Sequence, residues 1–596
     1  MSSEPRHALF HMPEPLFAEL APGGGSVEAL AFLERGERAR RLLLLRTLLG
    51  RLHGLRTPLA PPAEAWRTLK EAALHAPEAV DRLLLAPSTG GWIAHMLRRV
   101  HGTASGPELW VEAGHLCSLA VTASLYAGTG TDLLVPLTDG ALCLPGLGMA
   151  RLPDAGPGVT VGRACVECGE LTLTAPAEHP GPRPLTVRPH TAPARAPRTP
   201  SPAPAASAPD DSALDDSVPE ESGRFWLPLR TLAAFADAGP GTVLLDDLDP
   251  YRGLDDPLPP ARLDHAEAEA WQELFERAVA LTGPPQGAVP GRLDPAAIRA
   301  VVPWGRTRAP ATAPPTVQVS ATSGDSYAAM LIARPSSPVA LAETLVHEFQ
   351  HSKLAALLHL FPLLDDDREE RYYAPWRADP RHLTGLLHGA YAFTGVAGFW
   401  RDLTADPEHA GTAAYHFALR RLQCRLVVRT LLASGRLTAS GHALVTGLAR
   451  VLDGWLREPV DPPALARART AAVLHRTEWR LRNVAPTPHG THPDAPATGA
   501  PDDPRLRPDR APWPDVRTYA FATPSPAPCG ADEHLAAGDP AAALERYADE
   551  LASDPAEPHA LAGWIVARSL LDPGRATRRM LARPELVQPL PSPPTP

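Results

Sequence analysis

The residues with the clearest chemistry are His347, Glu348 and His351, in the run Leu345-Val-His-Glu-Phe-Gln-His351. In a helix, positions i and i+4 lie one turn apart on the same face, so the two imidazoles can clamp one metal ion. Glu348, about 100° round the axis, then stands close to a metal-bound water. Pro338 precedes the apolar run Val339-Ala-Leu-Ala-Glu-Thr-Leu-Val346, which predicts a buried helix carrying the pair. The competing reading is two hydrogen-bonded histidines beside a solvated glutamate.

A metal needs a further protein ligand. His388 falls inside an apolar helical pattern, where an unpaired ring is costly, and is the expected third ligand, whereas His382 lies at the polar start of that helix. Asp379 offers an alternative, completing a two-histidine, one-carboxylate face that suits non-haem iron. Glu369 and Glu370 fall where some zinc peptidases carry a glutamate, but they sit in the charged run Asp365 to Arg371, which predicts a solvated loop. The longer H-E-x-x-H-x-x-G-x-x-H pattern is missing, since after His351 come Ser352-Lys353 and then leucines. Arg377 and Arg381, beside Tyr373 and Trp376, can present guanidinium forks to a carboxylate; ordinary surface ion pairs are the plainer reading.

These residues need a scaffold, and at 596 residues with 44% hydrophobic content the chain can build more than one core. The expected fold class is α+β, predominantly helical. Residues 1–175 predict a helical section, with Ser26 capping a long helix after Gly23-Gly24-Gly25, followed by a small sheet from about Asp132 to Leu173. Residues 176–223 are rich in Pro and Ala and predict an insert unable to bury a core. Residues 224–484 predict a helix-rich metal-binding domain, 485–528 a Pro-rich linker, and 529–596 a helical hairpin of tetratricopeptide type. Two short strands, Thr316–Ser320 and Met330–Ala333, are expected before the motif helix as an edge for a substrate backbone.

The net charge of −10 argues against a general nucleic-acid binder, and arginine supplies nearly all the basic charge, lysine occurring only at 70 and 353. No apolar run is long enough to span a bilayer, and the first residues lack a signal-peptide layout, so a cytoplasmic protein is expected. Six cysteines agree with a reducing compartment, and the lone pair Cys165-Val-Glu-Cys168 reads as strand or turn residues.

Several pieces in order resemble the actinobacterial HEXXH motif-containing proteins of peptide natural-product clusters: Phe17 to Ser26, Asp246-Asp-Leu-Asp-Pro-Tyr-Arg252, Leu345 to Leu354, Tyr373-Ala-Pro-Trp-Arg377 and His388-Gly-Ala-Tyr391. The likeness runs from about residue 12 to 480. It implies a tailoring enzyme for a ribosomally made precursor peptide, working beside a separate radical SAM maturase, since no C-x-x-x-C-x-x-C motif is present. It also implies an Fe(II)- and 2-oxoglutarate-dependent hydroxylase of a peptide β-carbon. On that reading His347, His351 and a third ligand hold iron, Arg377 or Arg381 with Tyr373 meets the cosubstrate, and Glu348 orients water or substrate. The alternatives are a zinc metallopeptidase, with Glu348 as general base, and a non-catalytic peptide-binding protein.

Overall fold

The computed structural model describes residues 11–175, 183–189, 225–233, 242–282, 289–304, 320–486, 505–510, 513 and 517–587. In chain order the helices are α1 (Glu14–Leu20), α2 (Val27–Leu52), α3 (Pro62–His75), α4 (Pro77–Leu85), α5 (Pro87–Val100), α6 (Leu109–Ala113), α7 (His115–Ala127), α8 (His265–Leu281), α9 (Pro338–Leu360), α10 (Leu383–Leu403), α11 (Ala410–Ala433), α12 (Ala439–Trp455), α13 (Pro462–Asn483), α14 (Arg517–Ala522), α15 (Ala531–Ala536), α16 (Pro540–Ser553), α17 (Pro558–Leu571) and α18 (Arg575–Ala582). The strands are β1 (Thr131–Thr138), β2 (Ala141–Leu144), β3 (Gly148–Arg151), β4 (Val159–Glu167), β5 (Glu170–Thr174), β6 (Leu185–Val187), β7 (Trp226–Pro228), β8 (Arg230–Ala233), β9 (Thr242–Leu245), β10 (Ala300–Pro303), β11 (Ser320–Ala321) and β12 (Ala329–Ile332). The fold is predominantly helical α+β. Among the described residues no helix is long and apolar enough to cross a membrane.

Two compact units share the chain. One comprises residues 1–31, 280–294 and 342–596, the other 32–279 and 295–341. This corrects the expected contiguous division, in which 224–484 formed one domain. The cause is pairing distant in sequence: β9, β10 and β12 run parallel and bury Val243, Leu245, Val301, Val302 and Met330, so segments from either side of α8 belong to one sheet.

In the second unit a seven-stranded sheet has the order β6-β5-β4-β1-β2-β3-β7, and a five-stranded one the order β11-β12-β10-β9-β8. The first sheet packs on α7, which is apolar almost all round and buried from His115 to Leu125. Two expectations fail here. Part of the Pro-rich insert forms β6, which pairs with β5 at Leu171↔Val187 and buries Leu185 and Val187; the rest lies outside the described residues. The strand at Met330 is no open edge either, since β12 is flanked by β10 and β11, while Thr316 to Gln318 and Val319 lie outside the described residues.

The first unit is helical. Ser26 Oγ accepts from Ala29 N at 3.2 Å, the cap expected for α2. The segment expected as a Pro-rich linker is partly built in: its Leu506 pairs with Val484, and Phe521 of α14 is fully buried. Phe521 joins Tyr415, Leu474, Leu535 and Tyr547 in one core, so the tail packs on α11 and α13 instead of standing apart. Within it α16 and α17 meet where Gly563 leaves room for the Tyr547 ring; a Cβ there would lie 2.2 Å from Tyr547 Cζ.

Candidate metal centre

Helix α9 is buried nearly all round, from Leu341 to Leu357, except along the stripe Glu343, His347, His351 and Ala355. The i, i+4 spacing therefore sets both motif histidines on its one partly open ridge. The buried polar residues of α9 are drawn to the glycine turn after α1. Gln350 Nε2 donates to Gly23 O at 2.9 Å, and Lys353 Nζ donates to Gly23 O and Gly24 O, each at 2.8 Å. That turn needs glycine, because Gly23 and Gly25 hold φ of +92° and +139°. Burial lowers the Lys353 ammonium to about 7, and the two carbonyls and the Tyr391 face at 5.8 Å compensate it.

Helix α10 runs against α9 with small residues at the contacts. A Cβ on Gly395 would lie 2.2 Å from Gln350 Nε2 of α9, and on the side of the preceding loop one on Gly389 would lie 2.3 Å from Trp376 Cζ2. This close approach brings His388 to the motif pair. His347 Nε2 and His351 Nε2 are 3.0 Å apart, and His351 Nδ1 lies 3.3 Å from His388 Nδ1. Desolvation lowers all three rings: His351 to about 4, His388 to about 3 with a push from His351, His382 and Arg381, and His347 well below its usual value with a push from His351 and Arg420. All three are neutral at pH 7, the form that offers a metal its lone pairs.

Two nitrogens bound to one ion at roughly 2.0–2.1 Å, 90–109° apart, are separated by roughly 2.9–3.4 Å. The His347–His351 separation fits that range. His388 meets the opposite nitrogen of His351, and one imidazole cannot turn both nitrogens on a single ion. As placed, His388 orients His351 from behind, as outer partners of metal-bound histidines do; it becomes the expected third ligand only if a ring turns about its side-chain bonds. Glu348 is buried, 2% exposed.

The segment after the charged run is held by three helices. Tyr372 and Arg381 exchange two backbone hydrogen bonds of 2.9 Å, closing a loop. Gln423 of α11 donates to Pro375 O at 2.7 Å, Asn483 of α13 to Ala378 O at 2.9 Å, and Trp376 fills the space over Gly389. Phe393 links this loop to the rings, 4.7 Å from Trp376 and 4.7 Å from His347.

The expected cosubstrate residues are largely committed elsewhere. The Tyr373 hydroxyl lies 2.8 Å from His475 Nδ1, Arg377 Nε donates to Asp379 Oδ1 at 2.9 Å, and Arg381 Nη1 is 3.5 Å from Asp379 Oδ2. Asp379 is thus the partner of two arginines, not a group turned on the histidines. The charged run is not all solvated: Asp366 accepts from Thr384 N at 3.0 Å and lies 2.5 Å from His382 Nδ1, which caps α10 from a distance, while Glu369 and Glu370 are exposed.

Arg420 was not singled out from the sequence. It stands on α11 with Cζ 4.5 Å over the Phe393 ring, and its place within a run of leucines and arginines carries no local signal. His416, one turn earlier, stacks on Trp400 at 4.4 Å, and burial lowers it to about 3. No family model matches the chain, and no curated protein is significantly similar to it.

Proposed function

We propose that this chain is a metal-dependent enzyme that modifies a ribosomally made precursor peptide in the cytoplasm, as an Fe(II)- and 2-oxoglutarate-dependent hydroxylase of a peptide β-carbon. The observation that carries the reading is the 3.0 Å separation of two neutral imidazole nitrogens on the open ridge of α9, the spacing that one ion requires. Iron with 2-oxoglutarate supplies the activation of oxygen that hydroxylation of an unactivated carbon needs. His347 and His351 hold the ion, and His388 fixes the tautomer and plane of His351 from its far nitrogen. Trp376 and Phe393 shield one side of the rings from water, which strengthens every polar interaction there. Glu348, buried one residue from His347, orients a water or the substrate. Working beside a separate radical SAM maturase on the same precursor belongs to this reading.

The test is incubation of anaerobically reconstituted protein with a precursor peptide encoded nearby, 2-oxoglutarate and air. The peptide should gain the mass of one oxygen atom, with bound iron measured before the reaction. His347→Ala and Glu348→Gln should each abolish the gain. Cleavage into two fragments without need of 2-oxoglutarate would replace the reading with zinc peptidase chemistry. An unchanged but tightly bound peptide would leave a binding protein.

A further inference from the structure

We propose that Arg420 is the carboxylate-binding residue of the imidazole site, taking the acid group of a small keto diacid or of an acidic side chain on the peptide. This rests on the cluster being the functional site, but neither on iron nor on hydroxylation.

Three observations converge on it. First, Arg420 is held in place while its ion-pair partner Glu343 stands off at 3.8 Å, too far for a hydrogen bond. Its Nη1 donates to Gln423 Oε1 at 3.0 Å, and Gln423 is itself held on Pro375 O, so the guanidinium is fixed to the wall of the site. Its Nε is buried without a hydrogen-bond partner among the described residues, and Nη2 reaches only Glu343 Oε1 at 3.8 Å, beyond hydrogen-bond range. Nε and Nη2 form the edge that grips a carboxylate through two parallel bonds, and on Arg420 that edge is unfilled.

Second, the side chain is only 12% exposed, so the unfilled charge sits where an arriving anion would be recognised with little competition from water. Third, it adjoins the rings. The guanidinium lies over one face of Phe393, whose ring contacts His347 at 4.7 Å, and its charge contributes to lowering both His347 and His416. Of the two arginines favoured by sequence, Arg377 is hydrogen-bonded to Asp379, while Arg381 is ion-paired to it at 3.5 Å with its own Nε buried and without a hydrogen-bond partner among the described residues. A carboxylate entering the site meets at Arg420 a guanidinium whose carboxylate partner is 3.8 Å away, and at Arg377 one already hydrogen-bonded to Asp379.

The experiment measures equilibrium binding of four probes to the whole protein, metal-free and metal-loaded: 2-oxoglutarate, its 5-amide, the capped tripeptide Ac-Ala-Glu-Ala-NH2 and its glutamine counterpart. At least one acid should bind about tenfold more tightly than its amide, the usual worth of a charge-assisted pair. Arg420→Gln should erase that preference, Arg420→Lys should keep part of it, and metal affinity should stay the same in both. Preference for oxoglutarate over its amide assigns the carboxylate to the keto acid, and preference for the glutamate peptide assigns it to the substrate. The proposal is overturned if the parent protein does not distinguish acid from amide, a comparison that needs no variant, or if Arg420→Gln keeps the preference. A parent that binds no metal yet prefers acids would sink the metalloenzyme reading and leave this one standing.

Discussion

Two polar clusters, one in each unit, use their polar atoms in opposite ways. In the turn Asp246 to Arg252, nearly every group is spent on neighbouring chain. Asp246 Oδ1 accepts from Leu248 N at 3.2 Å and Asp249 N at 3.0 Å, and Asp247 accepts from Leu263 N at 2.9 Å and Arg262 at 3.1 Å. Arg252 donates to Asp249 O and Pro259 O, each at 2.7 Å. The rings of His347, His351 and His388 instead have one another as hydrogen-bond partners among the described residues. A neutral imidazole has one N–H and one bare nitrogen, so each facing pair is either an N–H···N bond or, with both nitrogens bare, a place for an ion. Both clusters lie in segments that carry the family resemblance. What separates holding a loop from holding a ligand is the partner list, which a sequence does not print.

The comparison breaks most sharply at His351, whose ring touches both others. His351→Ala should weaken metal binding more than about a hundredfold, since even outer partners of a metal site are worth about ten- to a hundredfold. The melting temperature of the metal-free protein should move little, because the ring sits on the open ridge. Competition with a chromophoric chelator measures the first quantity and calorimetry the second. An unchanged affinity removes the cluster from consideration as a metal site.

The mirror experiment is Asp247→Ala. It leaves Arg262, Arg230 at 3.9 Å and the buried Leu263 N–H without their acceptor, which should cost about 3–5 kcal/mol of stability. Metal affinity should not change. Denaturant titration alongside chelator competition reads both, and a loss of metal binding here would erase the distinction between the clusters.

How much of this was legible beforehand divides along the same line. The motif helix, its cap-and-glycine neighbour at Ser26 and the apolar helix bearing His388 follow from periodicity and turn chemistry, which are local. The course of the chain between units was not legible, because it depends on β9, β10 and β12 pairing across α8, and short buried strands carry no mark of their partners. The roles expected of Tyr373, Arg377 and Arg381 rest on residue type, neighbours in sequence and resemblance, none of which shows a partner in space. Whether an arginine is available depends on the nearest carboxylate in space, and for Arg377 that proved to be Asp379 two residues on. Arg420 shows the converse, an unremarkable helical arginine made conspicuous by its place over Phe393 beside His347.

A pH titration sharpens the contrast with a smaller signal. Burial raises the Asp246 carboxyl to about 7, Asp249 adding to the rise, whereas its unfolded value is near the usual 3.8. The folded state then holds a proton that the unfolded state releases, so this group stabilises fully below about 4 and its contribution is lost as pH rises through about 7. The buried imidazoles run the other way: His115 and His416, lowered to about 4 and about 3 by burial, add stability as pH rises towards their unfolded value of 6.5. The informative quantity is therefore the difference between Asp246→Asn and the parent. It should grow in the variant's favour from about pH 4 to about pH 7 and be flat beyond. A flat difference throughout would mean the carboxyl is not protonated in the fold.

The smallest effect belongs to Arg377, and it tests the comparison from within the first unit. The Arg377 side chain is 46% exposed and its partner Asp379 39%, so their pairing is worth at most about 1 kcal/mol. Arg377→Gln also leaves Asp379 with Arg381, and it leaves the loop tied by Gln423, Asn483 and the Tyr372–Arg381 backbone pair. Stability, metal affinity and oxoglutarate affinity should all stay close to the parent's. A tenfold fall in oxoglutarate affinity alone would mean that Arg377 leaves Asp379 when ligand arrives. The rule drawn from the two clusters, that a side chain already paired in the fold is not the one that meets the ligand, would then fail at the site where it matters most.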